Sequence, residues 1–140
     1  MSCPFCDIVS GQLPASVVAT TDRVLAFSDI HPVNPGHVLV VPAAHATGLE
    51  DLDPDVGAEM FRVAHRVAGA LRRTDLRCEG VNLFLSDGEA AFQEVFHVHL
   101  HVIPRYRGDR FRLSSGRSRK PTARADLDDV AERIRERLGS

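Results

Sequence analysis

Short runs with a period of two, rich in branched and aromatic residues, occur at 17–21, 24–28, 37–41, 81–85 and 97–103, each bounded by turn-forming residues. Side chains of a strand point alternately to its two faces, so these runs predict five short strands. Only Asp22 and Arg23 separate the first two, which predicts a tight antiparallel hairpin. Pro35 and Gly36 introduce the third strand, Pro42 ends it and Pro104 ends the fifth, because proline cannot donate to a ladder. Between strands three and four the period changes. Asp53 and Pro54 read as an N-cap and a first helical residue, and Val56, Met60, Val63, Ala64, Val67 and Leu71 recur at helical spacing. A second helix is predicted near the C-terminus, where Leu127, Val130, Ala131, Ile134 and Leu138 form an apolar stripe before Gly139, opposite a charged face. The pattern predicts an α+β domain, one sheet with its helices packed on one face.

Composition narrows the class. A chain of 140 residues holds one sizeable core. With 44% hydrophobic residues, 26% charged residues and a net charge of -2, it is neither a disordered chain nor a nucleic-acid binder driven by bulk charge. No run of about 18 apolar residues occurs and no basic stretch leads into an apolar one at the N-terminus, which predicts a cytoplasmic protein with no membrane partner. Three cysteines, an odd number, argue against a disulfide framework. The segment 105–124 has no clear period and carries Arg110, Arg112, Arg117, Arg119 and Lys120. It reads as a mobile stretch, either touching nucleic acid, which the balanced overall charge argues against, or merely solvated, or reaching a phosphate-rich substrate or a partner subunit.

The most informative segment is His97-Val98-His99-Leu100-His101-Val102-Ile103. In a strand, three imidazoles would line one face while Val98, Leu100 and Val102 fill the core on the other. Imidazole titrates near neutrality and can serve as nucleophile, base, acid or metal ligand. A solvent-facing polar strand is the bland alternative. A metal site is the second, but a repeat of roughly 7 Å along a strand suits at most one of the three histidines as ligand to a given ion. Upstream, the loop 86–96 contains Gly88 and Gln93, and such loops present backbone N–H groups to phosphate, with a Gln amide as a further donor. Together with the imidazoles it points to phosphorus chemistry on an anionic substrate.

The run His97 to Ile103, preceded by Gln93 and Val95 and followed by Pro104 and Arg105, resembles the signature of the histidine triad (HIT) superfamily of nucleotide hydrolases and transferases. The resemblance extends to Phe27, Asp29, Ile30 and Pro32, to the stretch 35–42 and to His45. It implies a five-stranded antiparallel sheet with two helices, residues 1–108 as the HIT domain, 109–125 as a basic mobile segment, and 126–140 as a C-terminal helix of that same domain. It further implies a homodimer whose sheets join into one of ten strands.

For the chemistry, the resemblance implies that His99 attacks the α-phosphorus of a purine nucleoside phosphate derivative to give a nucleotidyl-histidine that water cleaves. His101 and His37 are expected to contact the phosphate oxygens and the leaving group. Gln93 and backbone N–H groups would meet the charge, Asp29 the ribose hydroxyls, and Ser86 the leaving-group side. Pro4, Phe5, Phe27 and Ile30 match the apolar base pocket, although Phe27 and Ile30 suit core packing equally well. Cys3, Cys6, His45 and His97 make a Cys2His2 set, the composition of a closed structural zinc site, which some bacterial members resemble. Phe92 stands where many members have glycine, and Glu94 where well-studied branches have Ser or Thr. Cys78 reads as a small apolar residue, and His31 and His65 as surface residues. A nucleotide-binding or sensor module without turnover is the competing class, opposed by the presence of all three triad histidines and His37.

Overall fold

The computed structural model describes residues 3–113 and 119–138. Arg117 of the basic stretch lies outside the described residues. The chain divides into two compact units, Met1–Arg110 and Phe111–Ser140.

In the first unit, β1 (Val17–Thr20), β2 (Val24–Ser28), β3 (Val38–Pro42), β4 (Gly80–Leu85) and β5 (Leu100–Arg105) form one antiparallel sheet in the order β1-β2-β3-β5-β4. The expected hairpin joins β1 to β2, closed by Thr21 N–H donating to the Val24 carbonyl. Both prolines expected to end strands instead lie within their last two residues: Pro42 pairs with Val24 and Pro104 with Val81.

The main helix, Pro54–Arg72, has Asp53 as its N-cap, accepting from Asp55 N–H, a device worth about 1 kcal/mol. It buries Met60, Val63, Ala64, Val67 and Leu71 against Val24 and Ala26 of β2, Val38 and Val40 of β3 and Val102 of β5. Each such apolar side chain contributes roughly 1.5–3 kcal/mol when fully buried. The alternate residues Leu25, Phe27, Leu39 and Val41 face the other side of the sheet. There the expectation of helices on one face fails. A six-residue helix, Pro4–Val9, packs Phe5 with Phe27, Leu39 and Val41, supported by Ile8 and Val9. We number these helices α1 (Pro4–Val9) and α2 (Pro54–Arg72). Helix α1 is too short to show a periodic stripe, and its local signal is Cys3, whose Sγ accepts from Cys6 N–H at 3.4 Å, followed by Pro4 at the first turn.

The second departure concerns the histidine run. β5 begins at Leu100, so His97, Val98 and His99 precede the strand. Pairing with β3 stops at Val40↔Leu100, and Val98 N–H donates instead to the Ala46 carbonyl at 2.7 Å. The second unit contains α3 (Arg124–Leu138), which covers the predicted C-terminal helix and leaves Leu127, Val130, Ile134 and Leu138 exposed.

Candidate active site

The α1 side of the sheet carries the imidazoles. His101 pairs with Leu39 of β3 and Phe84 of β4, and its ring lies 5.0 Å from that of His99, 5.1 Å from His37 and 5.5 Å from Phe84. The edge of Phe5 meets the rings of His99 at 5.1 Å, Phe27 at 5.5 Å and His97 at 5.9 Å. Phe5 is thus the wall shared by the short helix and the histidine run.

A neutral imidazole carries one N–H, and backbone carbonyls fix where two of these protons sit. His99 Nδ1 lies 2.9 Å from the His97 carbonyl, so it donates there and leaves the Nε2 lone pair free. His97 Nε2 lies 2.8 Å from the Pro42 carbonyl, so it donates there and leaves Nδ1 as the lone-pair atom. Burial, reinforced by His99 and His37, pushes the His101 pKa down to about 4. Burial also lowers His37, against the opposing pull of Asp29, and lowers His97.

The free Nδ1 of His97 stands 3.4 Å from both Cys3 Sγ and Cys6 Sγ, and His45 Nδ1 is 3.3 Å from Cys6 Sγ. All four ligand atoms lie within 4.8 Å of one another. Tetrahedral zinc with ordinary Zn–S and Zn–N bonds places S and N roughly 3.6 Å apart. The donor set and its spacing therefore fit a metal ion, and the Pro42 carbonyl on the far nitrogen of His97 is the outer support such ligands require. The four residues come from the N-cap and first turn of α1, the loop after β3 and the segment before β5.

The remaining expected site residues are distributed unevenly. Asp29 Oδ1 accepts from His31 N–H at 2.8 Å and Oδ2 lies 3.5 Å from His37 Nε2. Phe27 is core, Ile30 is 85% exposed, Pro4 is exposed, and Ser86 is buried directly after β4. Gln93 departs from its expected contact with phosphate. Its Nε2 donates both hydrogens inside the protein, to the Thr47 and Val95 carbonyls, and its Oε1 accepts from Gly88 N–H. That amide has no hydrogen to offer a ligand, and its work is to hold the loop 88–95. His37 also departs from direct substrate contact, because it is 3% exposed and sits behind His101, with Nε2 2.9 Å from His101 Nδ1. Phe92 occupies a left-handed conformation, φ 67°, which explains why glycine suits that position. Glu94 is exposed, as are His31 and His65, and Cys78 packs beside the α2 core. Asn34, Asp109 and Arg105 form a buried polar network at the end of β5 that the sequence reading passed over. Their only sequence signal is a Val-Asn-Pro-Gly turn and an acid four residues after an arginine.

The HIT domain family model matches residues 10–108. The chain belongs to the HIT family. A HIT-like protein of Mycobacterium tuberculosis is 41% identical over 116 residues, 83% of this chain and 80% of the relative. Adenosine 5'-monophosphoramidase hnt1 of Schizosaccharomyces pombe is 33% identical over 138 residues, 99% of each protein. Among solved structures, a HIT family member from Bacillus subtilis superposes with a TM-score of 0.90 at 34% identity, covering 100% of this chain and 99% of that one. A Zn-bound histidine triad protein from Mycobacterium smegmatis gives 0.77 at 40% identity, covering 94% and 97%. The HIT fold and the α+β sheet architecture expected from the sequence are thereby established. Among the described residues, no helix is long and apolar enough to cross a membrane.

Proposed function

We propose that this HIT protein is a nucleotide hydrolase or nucleotidyl transferase that cleaves at the α-phosphate of a purine nucleoside phosphate derivative, with His99 as nucleophile. The observation that carries this reading is the His99 Nδ1 bond to the His97 carbonyl, which directs a free Nε2 lone pair away from the backbone. In the first step His99 Nε2 forms a bond to the α-phosphorus as the bond to the leaving group breaks, and the leaving group takes a proton from solvent. In the second, water attacks phosphorus and returns a proton to solvent, the P–N bond returns its electrons to Nε2, and the nucleoside monophosphate is released. His101 Nε2 donates to the phosphoryl oxygens, and His37 acts through His101. Phe5 walls the base, backed by Phe27 from the core, with Ile30 at the rim, Asp29 accepts from the ribose hydroxyls and Ser86 lies on the leaving-group side. The relative named adenosine 5'-monophosphoramidase supports an amide of AMP as a substrate class.

Cys3, Cys6, His45 and His97 would hold zinc, which supplies a structural cross-link between the N-terminal segment and the segment before β5. A homodimer completes the proposal. β4 is an open sheet edge with Leu83 and Phe84 exposed, and α2 exposes Phe61, features that pairing with a second copy would cover. Light scattering at micromolar concentration should give twice the monomer mass, and a monomer mass overturns the dimer. The activity is tested by incubation with adenosine 5'-phosphoramidate, an adenylyl-amine and diadenosine polyphosphates. AMP release is expected, and nucleotide binding without release from any of them assigns the protein to the non-catalytic class.

A further inference from the structure

The end of β5, outside the histidine run, carries a second polar network. Asn34 is 6% exposed, and its side-chain amide donates one hydrogen to the Pro104 carbonyl at 2.9 Å and the other to Asp109 Oδ2 at 2.9 Å. Asp109, itself 8% exposed, accepts from Arg105 Nε and Nη2, both at 2.7 Å, and Arg105 Nη1 donates to Asn82 Oδ1 of β4 at 2.7 Å. The Arg105 guanidinium, then Asn34 and the Tyr106 N–H, hold the Asp109 carboxyl well below the usual carboxylate range, so this acceptor keeps its charge at neutral pH. The turn from Asn34 to His37 is thereby tied to β5, the strand that carries His101, and through Arg105 to its neighbour β4. It is also tight: the Asn34 carbonyl accepts from His37 N–H at 3.1 Å, and Gly36 has φ 100°. A Cβ at Gly36 would come 2.9 Å from Leu71 and 3.1 Å from Leu76.

This pinned turn aims one backbone donor into the histidine cluster. Val33 N–H lies 3.0 Å from His37 Nδ1. A backbone N–H only donates, so Nδ1 must offer a lone pair, which excludes both the Nδ1–H tautomer and the imidazolium. The single proton of His37 is on Nε2. That atom is 2.9 Å from His101 Nδ1, which must then accept, leaving the His101 proton on Nε2. One backbone N–H thus dictates two tautomers in series. The same logic decides the trio Asp29, His37 and His101, whose ligand atoms are close enough for a metal ion. His37 Nε2 carries a proton and donates it to His101 Nδ1, so these imidazoles form a hydrogen-bonded pair with the Asp29 carboxylate 3.5 Å from the donor nitrogen.

We propose that Asn34 and Asp109 are positioning residues: by fixing the turn that aims Val33 N–H at His37, they set the His37–His101 tautomer pair so that His101 presents Nε2–H toward the substrate. Asp109 lies one residue beyond the segment matched by the HIT model. The catalytic consequence rests on the nucleotide chemistry proposed above, whereas the tautomer assignment stands without it.

The test uses the full chain labelled with 15N at histidine. Long-range 1H–15N spectra near neutral pH should show unprotonated Nδ1 and protonated Nε2 on both His37 and His101. Asn34→Ala and the milder Asp109→Asn should give mixed tautomers at these two rings with His99 unchanged. In the same variants kcat should fall roughly ten-fold with KM within about two-fold, the pattern of an interaction realised in the transition state. A protonated Nδ1 on His37 or His101 in the parent protein overturns the proposal. So does unchanged tautomer and kcat in both variants, even with lowered stability, because the network would then be structural alone. Should Asn34→Ala not fold, Asp109→Asn carries the comparison. If the parent shows the expected tautomers but releases no AMP from any substrate, the nucleotide reading has failed and the spectra of the variants still decide the tautomer claim.

Discussion

Replacing Phe5 with alanine tests whether the short N-terminal helix is a structural part of the site. Phe5 is 8% exposed and anchors the cluster of Phe27, Leu39 and Val41. Truncating a buried phenylalanine costs about 3–5 kcal/mol, from lost transfer energy and the cavity left behind. Helix α1 has only six residues and can settle inward, which places the expected loss near the lower end, about 3 kcal/mol. Phe5→Leu keeps most of the volume and gives up mainly the edge-to-face contacts with Phe27, His97 and His99, so it should cost about 1 kcal/mol. The assay is urea unfolding at matched metal content. With a slope of about 1.5 kcal/mol per M, the alanine variant's midpoint should fall on the order of 2 M. Removing the proposed base wall should also raise KM for adenosine nucleotides more than it lowers kcat. An alanine midpoint no lower than that of the leucine variant would refute the reasoning, because the ring would then not be part of the core.

Three further outcomes are expected. His99→Asn should abolish AMP release while nucleotide affinity, followed by calorimetry, stays within a few-fold; substantial residual turnover would remove His99 as the nucleophile. Protein purified without chelators should carry about one equivalent of zinc by metal analysis, and Cys3→Ser with Cys6→Ser should lose it and lower the unfolding midpoint, whereas absence of zinc from the parent counts against the site. Finally, His101 has a folded pKa of about 4 against an ordinary 6.5, so between these values the unfolded chain binds the extra proton. Stability should be full above pH 6.5, fall as pH drops toward 4 and gain no further loss from this group below. Buried His37, also lowered, adds in the same direction. Urea midpoints from pH 7 to 4 should show a smaller drop in His101→Gln than in the parent, and an equal drop would refute this account.

What the chain determined by itself was everything that depends on local period and composition. Alternation at 24–28 and 37–41 placed Val24, Ala26, Val38 and Val40 on one face and Phe27, Leu39 and Val41 on the other, and the structure keeps that division. The helical spacing from Val56 to Leu71 predicted α2, and the histidine run with Cys3, Cys6 and His45 named the residues that come together. These features were legible because a period or a ligand type is a property of neighbouring residues. Tertiary structure decided the rest. It placed α1 opposite α2, stopped β5 short of His97 and put His37 behind His101. It spent the Gln93 amide on Thr47 and Val95, and joined Asn34 to Asp109 across 75 residues. Above all it assigned the protons. Which nitrogen of His97 can meet a metal depends on the Pro42 carbonyl 55 residues away, and which nitrogen of His101 bears hydrogen depends on His37 and a turn that the far end of β5 holds in place. A sequence specifies that an imidazole is present. The direction of its lone pair is set by partners that only the folded chain brings within hydrogen-bond distance.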